Sequence, residues 1–342
     1  MPTLTTSMKR ILVCPGQGKF DFKTLAALSK NSTLKPIEEL LERADETIPQ
    51  LRLSQYIRQP EIIAHDSVVQ NHLQQTHVQQ PLLILTSYLE NEILKVNQGI
   101  DLLENADYMI GHSLGEITCL VLQGIIPFER GLQVAYQRGK LMESIVKKEG
   151  EEFGMYALLF QPTYYEYMKR ILKELDVNIA NYNTYSQVVI SGVKSQLESN
   201  IEELQKIIVS DKVWKTRVKA IDLNVHIPFH HPVLEPIEKS LTDIILGNCS
   251  ELKVPVISNY DGEIEVEAAK QIKKIIQVTS KPVYFSKCLE HFVKRENTTY
   301  EFVHYGSATQ GLVKRFYADF EKLGRHAERP NFTNKLIGTN DI

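Results

Sequence analysis

The sequence predicts an α/β protein whose parallel sheet is interrupted by a smaller inserted subdomain. Two observations support this fold class. Short apolar runs alternate with stretches of helical spacing up to residue 148, which is typical of a parallel sheet covered by helices. Residues 149–225 then follow the order β-α-β-β-α-β, which is the ferredoxin-like arrangement. Because strand–helix alternation returns after residue 225, we predict an insertion into one core and not two domains in tandem.

The elements of the first core segment follow from apolar spacing and from breaker residues. Arg10–Cys14 is an apolar run that ends at Pro15–Gly18, as expected for a buried strand leading into a tight turn. Residues 67–96 place apolar side chains at helical spacing, and Pro81 is expected to kink or split that helix. Tyr108–Ile110 is predicted to be the next strand. The helices that follow are predicted to run through Gln123 and over Phe128–Lys147.

The remaining elements complete the insertion and the core. In the insertion we predict strands over Gly154–Phe160, Val177–Asn181, Gln187–Ser191 and Val213–Ile221, and helices over Pro162–Glu174 and Lys194–Ile208. In the second core segment we predict helices over Pro232–Leu246, Val283–Lys294 and Thr309–Lys322, and strands over Val254–Ser258 and Tyr300–His304. The predicted units are thus a core of residues 8–148 and 226–325, a small subdomain of residues 149–225, and a polar C-terminal tail of residues 326–342, loose after Arg329.

The composition excludes several classes of protein. The 342 residues include 39 Lys and Arg and 42 Asp and Glu, a net charge of −3, so the chain offers no general positive field for nucleic acid or an anionic membrane. No apolar stretch approaches the roughly 20 residues of a membrane span. The 4 cysteines lie far apart without a Cys-x-x-Cys pair, so we expect separate thiols in a reducing compartment and no metal site.

A nucleophilic serine is predicted at Ser113. Gly111-His112-Ser113-Leu114-Gly115 has the pattern G-x-S-x-G between a predicted strand and a predicted helix, which is the context of a nucleophile elbow. The sharp turn lifts the serine hydroxyl to the carboxyl edge of the sheet. The N-terminus of the following helix supplies backbone N–H groups that stabilise an oxyanion.

A serine hydroxyl needs a base that takes its proton, and histidine is the usual one. Among the 10 histidines, those of the segment His226–Pro232 stand out. Pro228 and Pro232 restrict the backbone there, so a side chain on this loop would be held in one geometry. From the residues alone, His230 and His231 are both candidates for the base.

The motifs of this chain occur together in one known family. In order across residues 10–316 they are Pro15-Gly16-Gln17-Gly18, Gln80-Pro81, Gly111-His112-Ser113-Leu114-Gly115-Glu116, Gln137-Arg138-Gly139-Lys140, Asn181-Tyr182-Asn183 and Ile227-Pro228-Phe229-His230. The chain resembles malonyl-CoA:acyl carrier protein transacylases. This resemblance implies an α/β-hydrolase-like core with a ferredoxin-like insert. It also implies an acyltransferase that moves a malonyl group from malonyl-CoA to the phosphopantetheine thiol of acyl carrier protein, through a malonyl-serine intermediate, for fatty acid synthesis.

The resemblance implies a role for each matching residue. Ser113 matches the nucleophile, and His230 matches its base in a Ser-His dyad that works with ping-pong kinetics. The N–H groups of Gln17 and Leu114 match the oxyanion hole, and Arg138 matches the arginine that binds the malonyl carboxylate. The other matching substrate-site positions are Gln80, Asn181, Asn183, Phe229, which would crowd an α-methyl branch, and Gln277, whose spacing to Pro282 is one residue longer than usual.

One departure from the family pattern leaves an alternative open. The family usually has Glu-Val-Gly-Pro-Gly where this chain has Phe302–Gly306, so a histidine replaces a turn. Since ordinary α/β-hydrolases carry serine, acid and histidine in that order, Ser113, Asp261 and His304 could form the triad of a serine esterase or thioesterase. A carrier-protein-binding scaffold without activity is a third hypothesis.

The resemblance also implies partners and a setting. Acyl carrier protein would bind transiently as an acidic partner, malonyl-CoA and CoA would be substrate and product, and no cofactor would be needed. Lys215–Lys219 and Lys314-Arg315 are the basic candidates for carrier docking. We expect a monomer that acts as a discrete component of a type II system. Met1–Arg10 is basic and free of acids, and Gly111–Leu120 resembles fungal mitochondrial members, so we expect the mitochondrial matrix, with the cytoplasm as the alternative.

Overall fold

The structure, a computed structural model, describes residues 7–18, 22–210, 218–245 and 250–337. The first core segment contains β1 (Ser7–Cys14), α1 (Phe22–Asn31), α2 (Lys35–Thr47), α3 (Leu53–Arg58), α4 (Pro60–His65), α5 (Ser67–Gln74), α6 (Thr76–Gln98), β2 (Tyr108–Gly111), α7 (Gly115–Leu122) and α8 (Phe128–Glu149). Then follow β3 (Phe153–Leu159), α9 (Tyr165–Glu174), β4 (Ile179–Thr184), β5 (Gln187–Val193), α10 (Lys194–Ser210) and β6 (Lys219–Asp222). The last segment contains α11 (Ile237–Ile244), β7 (Glu251–Ile257), β8 (Ile264–Glu267), α12 (Ala268–Gln277), α13 (Phe285–Glu290), β9 (Thr298–His304), α14 (Gln310–Lys322) and β10 (Asn331–Leu336).

The larger sheet has the strand order β10-β9-β1-β2-β7-β8. Neighbouring strands pair in parallel, except that β8 pairs with β7 in the antiparallel direction. In the register, Cys14 faces Gly111 and Ile110 faces Ile257. The carboxyl ends of β1, β2 and β7 therefore meet at one edge, where ligands of open α/β sheets usually bind.

Strand β1 explains why the sequence Arg10–Cys14 reads as a continuous apolar run. Successive side chains of a strand point to opposite faces of the sheet. Leu12 and Cys14 pack into the cluster beneath α6 to α8, whereas Ile11 and Val13 pack into an aromatic cluster with α13 and α14. Both faces are covered, so alternate positions are all apolar, as in other buried parallel strands.

The smaller sheet is antiparallel and has the order β4-β5-β3-β6. Helices α9 and α10 cover one face and bury residues such as Leu172 and Leu204 against Leu158 and Ile190. This is the ferredoxin-like order, so the predicted α/β class with a parallel-rich sheet and a small antiparallel sheet is confirmed. The division of the chain at residues 149 and 225 remains our proposal.

Helices α6 and α8 approach each other closely at Gly139. A Cβ atom on Gly139 would lie 2.4 Å from the Cα atom of His77, which is closer than side-chain carbons come to backbone atoms. Only glycine allows this approach. It brings Gln80, one turn after His77 on α6, next to Arg138 on α8.

The long helical stretch of residues 67–96 is divided differently from the sequence prediction. Gln75, whose backbone is extended (φ −67°, ψ 133°), separates α5 from α6. Pro81, which was predicted to kink or split the helix, lies inside α6. A proline removes one backbone hydrogen bond of a helix, but here the break comes at the extended residue Gln75, six positions before Pro81.

The prediction of a loose tail after Arg329 was wrong. Asn331–Leu336 forms the edge strand β10, which pairs in parallel with β9. The segment has alternating exposure and few apolar side chains, so its pairing is set by β9 and not by its own hydrophobicity. Of the strand predicted over Val213–Ile221, residues 213–217 lie outside the described residues, and Lys219–Asp222 is a strand. Among the described helices, none has the length and hydropathy needed to cross a membrane.

Candidate active site

Ser113 lies in a sharp turn between β2 and α7. Its φ of 53° is in the left-handed region, where a non-glycine residue is disfavoured by about 1–3 kcal/mol. A Cβ atom on Gly111 would lie 2.1 Å from the backbone nitrogen of Glu116, and one on Gly115 would lie 2.3 Å from the carbonyl oxygen of Cys14. The two glycines of the G-x-S-x-G pattern are therefore required by the close packing of β1, the turn and α7.

His230 is the histidine that the structure places on Ser113. The Oγ atom of Ser113 lies 2.8 Å from Nε2 of His230, and Nδ1 of His230 lies 2.6 Å from the carbonyl oxygen of Val278. A carbonyl oxygen only accepts, so Nδ1 carries the proton and Nε2 is free to accept the serine proton. His231 instead accepts a hydrogen bond from the N–H of Val233.

The environment of His230 keeps its imidazole neutral. Burial lowers the pKa of His230 to about 3; the Val278 hydrogen bond opposes this shift, and the nearby charge of Arg138 adds to it. The backbone of His230 has a φ of 58°, and the side chain of Asn178 donates to its carbonyl oxygen at 3.1 Å. The loop therefore holds a neutral, correctly protonated imidazole in one orientation.

Two backbone N–H groups, one in the turn of residues 15–18 and one in the elbow, have no acceptor among the described residues. The turn of residues 15–18 packs against the elbow, since a Cβ atom on Gly16 would lie 2.5 Å from the carbonyl oxygen of His112. Within the described ranges, the N–H groups of Gln17 and Leu114 donate to no protein acceptor. Both are therefore available to an oxygen atom of a ligand.

Arg138 is a buried positive charge close enough to His230 to lower the pKa of that histidine. It is 3% exposed, and its Nη1 donates to Oε1 of Gln80 at 2.9 Å. Burial lowers its pKa to about 10, so it remains protonated at neutral pH. In the part of the chain that the structure describes, no carboxylate forms a salt bridge with Arg138. A buried cation without an anionic partner is unusual in proteins.

A comparison with protein-family models identifies the family of this chain. The model described as the acyl transferase domain matches residues 12–304. The chain belongs to the acyl transferase domain family.

Individual relatives agree with this assignment. The chain is 29% identical over 286 residues to the malonyl CoA-acyl carrier protein transacylase of Bacillus subtilis, covering 81% of each protein. It is 28% identical over 211 residues to the mitochondrial malonyl CoA-acyl carrier protein transacylase of Saccharomyces cerevisiae, covering 54% of this chain and 57% of the yeast protein. The solved transacylase of Coxiella burnetii superposes with a TM-score of 0.76 at 23% identity, covering 98% of this chain and 96% of that one. It shares the fold.

The structure also gives a place to the remaining predicted site residues of this acyl transferase. Asn183 on β4 accepts a hydrogen bond from Nε2 of His112 at 2.8 Å. Asn181 is buried on the same strand, and Phe229 is buried just before His230. Gln277 ends α12. The next residue, Val278, provides the carbonyl oxygen that accepts the hydrogen bond from Nδ1 of His230.

The alternative triad of Ser113, Asp261 and His304 was wrong. The hydroxyl of Ser113 is bonded to a different histidine. His304 has Nδ1 at 2.8 Å from Oγ1 of Thr309 and Nε2 at 2.5 Å from Oδ1 of Asn334. Asp261 pairs with Lys274. His304 is therefore a buried structural residue that joins β9 to β10.

Asn259 is a site residue that the sequence analysis missed. Its Oδ1 accepts from the N–H of Ser113 at 2.7 Å, and its Nδ2 donates to the carbonyl oxygen of Gly111 at 2.8 Å. One amide group thus fixes both peptides that flank His112. Asn259 follows strand β7 at the carboxyl edge of the sheet, and that position is the signal that could have indicated it.

Glu116 supports Asn259 from beneath the elbow. Its Oε1 accepts from the N–H of Asn259 at 3.0 Å and from Nε2 of Gln271 at 2.7 Å. Burial raises its pKa to about 7, against these two hydrogen bonds. Its Oε2 has no hydrogen-bond partner within the described residues.

Other predicted features can also be placed. Lys314 and Arg315 are exposed on α14, and Lys219 is exposed on β6, whereas residues 215–217 lie outside the described ranges. In the residues that the structure describes, no group of His, Cys, Asp and Glu side chains could hold a metal ion.

The pKa of Glu116 predicts a pH dependence of stability. Because the folded pKa of about 7 exceeds the ordinary 4.5, the folded state holds the proton more tightly, so stability falls as the pH rises from about 4.5 to 7. The Glu116→Gln variant mimics the neutral acid. It should therefore not show the part of the decrease that Glu116 causes, which is about 3 kcal/mol in the free energy of unfolding.

Urea unfolding of both proteins at pH 5 and pH 8 measures the effect. The free energy of unfolding of the variant, minus that of the wild type, should be larger at pH 8 than at pH 5. Parallel pH dependences of the two proteins would contradict the buried, raised pKa.

Proposed function

We propose that this acyl transferase moves a malonyl group from malonyl-CoA to the phosphopantetheine thiol of acyl carrier protein. One observation carries the proposal: a buried guanidinium, without an anionic partner among the described residues, acts electrostatically on the histidine of an assembled Ser-His pair. The acyl group that neutralises Arg138 must carry a carboxylate, and malonyl is such a group. The names of the Bacillus and yeast relatives support this substrate.

The first half-reaction acylates the enzyme. His230 Nε2 takes the proton of Ser113 as its Oγ attacks the thioester carbonyl of malonyl-CoA. The N–H groups of Gln17 and Leu114 donate to the oxyanion that forms, and such donors are worth about 10²–10³ in rate. The C–S bond then breaks, the imidazolium gives its proton to the leaving sulfur, and CoA departs as the thiol.

The second half-reaction transfers the malonyl group onward. The thiol of the carrier's phosphopantetheine gives its proton to His230 and attacks the ester carbonyl, and Ser113 leaves with that proton. The imidazolium that forms in each half-reaction donates its Nδ1–H to the carbonyl oxygen of Val278. A carbonyl dipole stabilises this cation less than a carboxylate would, which suits a base that must return its proton in every half-reaction.

Arg138 supplies the selectivity for the acyl group. A guanidinium binds a carboxylate through two parallel hydrogen bonds. An acetyl group would leave this charge buried and unpaired, which is unfavourable. Phe229, next to the base, would crowd an α-methyl branch and so favour malonyl over methylmalonyl.

The setting of the reaction is part of the proposal. A solved malonyl-transacylase in complex with a type II polyketide acyl carrier protein superposes on this chain with a TM-score of 0.72, which supports the carrier as the transient partner. The mitochondrial yeast relative and the basic, acid-free segment Met1–Arg10 support the mitochondrial matrix, with the cytoplasm as the alternative. We also propose that the chain acts as a monomer, without contact with nucleic acid or membrane.

Variants of the dyad test the chemistry. Ser113→Ala should abolish transfer of radiolabelled malonyl groups to acyl carrier protein, and His230→Ala should lower the rate by about 10²–10⁴-fold, the usual worth of a general base. His304→Ala serves as the matched histidine control and should keep a rate within a few-fold of the wild type once the folded fraction is measured. If His304→Ala stopped acyl transfer while His230→Ala did not, the proposed dyad would be refuted and the esterase-type triad would be supported.

Removing the guanidinium tests the substrate class. Arg138→Ala should lower kcat/KM for malonyl-CoA by about 10²-fold or more, the scale of losing one partner of a buried charge pair. Acetyl-CoA, which never uses that charge, should react at least as well as with the wild type. Stopped-flow acylation of Ser113 with each thioester gives the two values. An unchanged preference for malonyl-CoA would refute the carboxylate role.

A further inference from the structure

Gln80 lies at the centre of a hydrogen-bonded chain that links Arg138 to Gln17. Its Oε1 accepts from Nη1 of Arg138 at 2.9 Å, and its Nε2 donates to Oε1 of Gln17 at 3.1 Å. Nε2 of Gln17 in turn lies 3.4 Å from Oγ1 of Thr76. Gln80 has no exposed surface, so its amide is fixed by these contacts and by the packing of α6 against α8.

The chemistry of residue 80 decides what Arg138 can bind. Glutamine and glutamate have nearly the same shape, and a glutamate at this point would pair with the guanidinium at once. Buried arginines are normally neutralised in that way. An amide oxygen accepts the same hydrogen bond and fixes the same orientation but leaves the positive charge uncompensated.

The same amide also links the charge to the oxyanion donors. Gln17, whose N–H is a proposed oxyanion donor, is held through its side chain by the amide that also binds Arg138. The close approach of α6 and α8 at Gly139 fixes the backbone positions of both partners. The site that would bind a carboxylate and the site that would bind a thioester oxygen therefore keep a constant separation.

We propose that Gln80 is a positioning residue that determines substrate class, because it orients Arg138 with a neutral acceptor and thereby reserves the positive charge for the carboxylate of the acyl group. This inference rests on the proposed malonyl transfer and adds to it the reason why the charge is available. Gln80 acts through Arg138 and need not touch the substrate.

Two variants of Gln80 distinguish the effect of the acceptor's charge from the effect of its hydrogen bonds. Gln80→Glu keeps the shape and the hydrogen bond but neutralises the guanidinium. The ratio of kcat/KM for malonyl-CoA to kcat/KM for acetyl-CoA should fall by about 30-fold or more, almost entirely through malonyl-CoA. Gln80→Met removes the hydrogen bonds but adds no charge. It should lower kcat for malonyl-CoA, since the two binding sites lose their fixed separation, while the malonyl-to-acetyl ratio stays within about five-fold of the wild type.

Gln133→Glu is the matched control. Gln133 lies on α8, where its Oε1 accepts from Nη1 of Arg130 at 3.4 Å, so this variant adds the same acid beside another arginine of the same helix. It should leave both thioester rates unchanged. Thermal unfolding is measured in parallel, and Gln80→Glu should unfold at or above the wild-type midpoint because the new carboxylate pairs a buried cation.

Each outcome decides the inference. A Gln80→Glu variant that keeps the wild-type substrate ratio, or that fails to fold, overturns it, since either result means that Arg138 carries no available charge at that point. Equal loss of the ratio in Gln80→Glu and Gln80→Met also overturns it. Arg138→Ala in the same assay separates the two levels: if it keeps the malonyl preference, the proposed function fails. If it loses the preference while Gln80→Glu keeps it, the inference about Gln80 fails alone.

Discussion

The buried charge of Arg138 is the constraint around which the cleft is organised. Placing an unpaired guanidinium at 3% exposure is unfavourable for folding, because a charge loses its hydration and gains no counter-ion. The neutral amide of Gln80 and the tight contact of α6 with α8 hold the guanidinium in place despite this unfavourable burial. The same charge lowers the pKa of His230, so it also favours the neutral base in the resting enzyme. A bound carboxylate would relieve both effects.

The nucleophile and its base are positioned by backbone groups and amides and not by a third catalytic acid. Val278 fixes the tautomer of His230 through a carbonyl oxygen, and Asn259 fixes the turn of Ser113 through both ends of its amide. Because Asn259 already takes the N–H of Ser113, the N–H of Leu114 is left as the donor from the elbow. The left-handed backbone of both Ser113 and His230 is held by these contacts with neighbouring elements.

The sequence predicted the parts of the fold and site that depend on local pattern. The alternation of strands and helices, the β-α-β-β-α-β order and the elbow at Ser113 are all encoded within short windows. It also narrowed the base to the loop of His230 and His231. The choice between these two required the structure, because it depends on which ring reaches Ser113, 117 residues earlier.

What could not be predicted depends on contacts between distant segments. Asn259 meets Ser113 across 146 residues, and no local pattern distinguishes it from other asparagines after strands. The tail strand β10 is polar, and it forms because β9 offers a parallel edge and because Asn334 bonds His304. That bond also occupies the His304 ring, so the alternative triad with His304 was wrong.

The most direct test is a crystal structure of the Ser113→Ala variant with malonyl-CoA bound. The malonyl carboxylate should lie about 3 Å from the guanidinium of Arg138. The thioester oxygen should lie at a similar distance from the N–H groups of Gln17 and Leu114. A complex in which the carboxylate points to solvent, while Arg138 keeps Gln80 as its sole partner, would contradict the role of the buried charge.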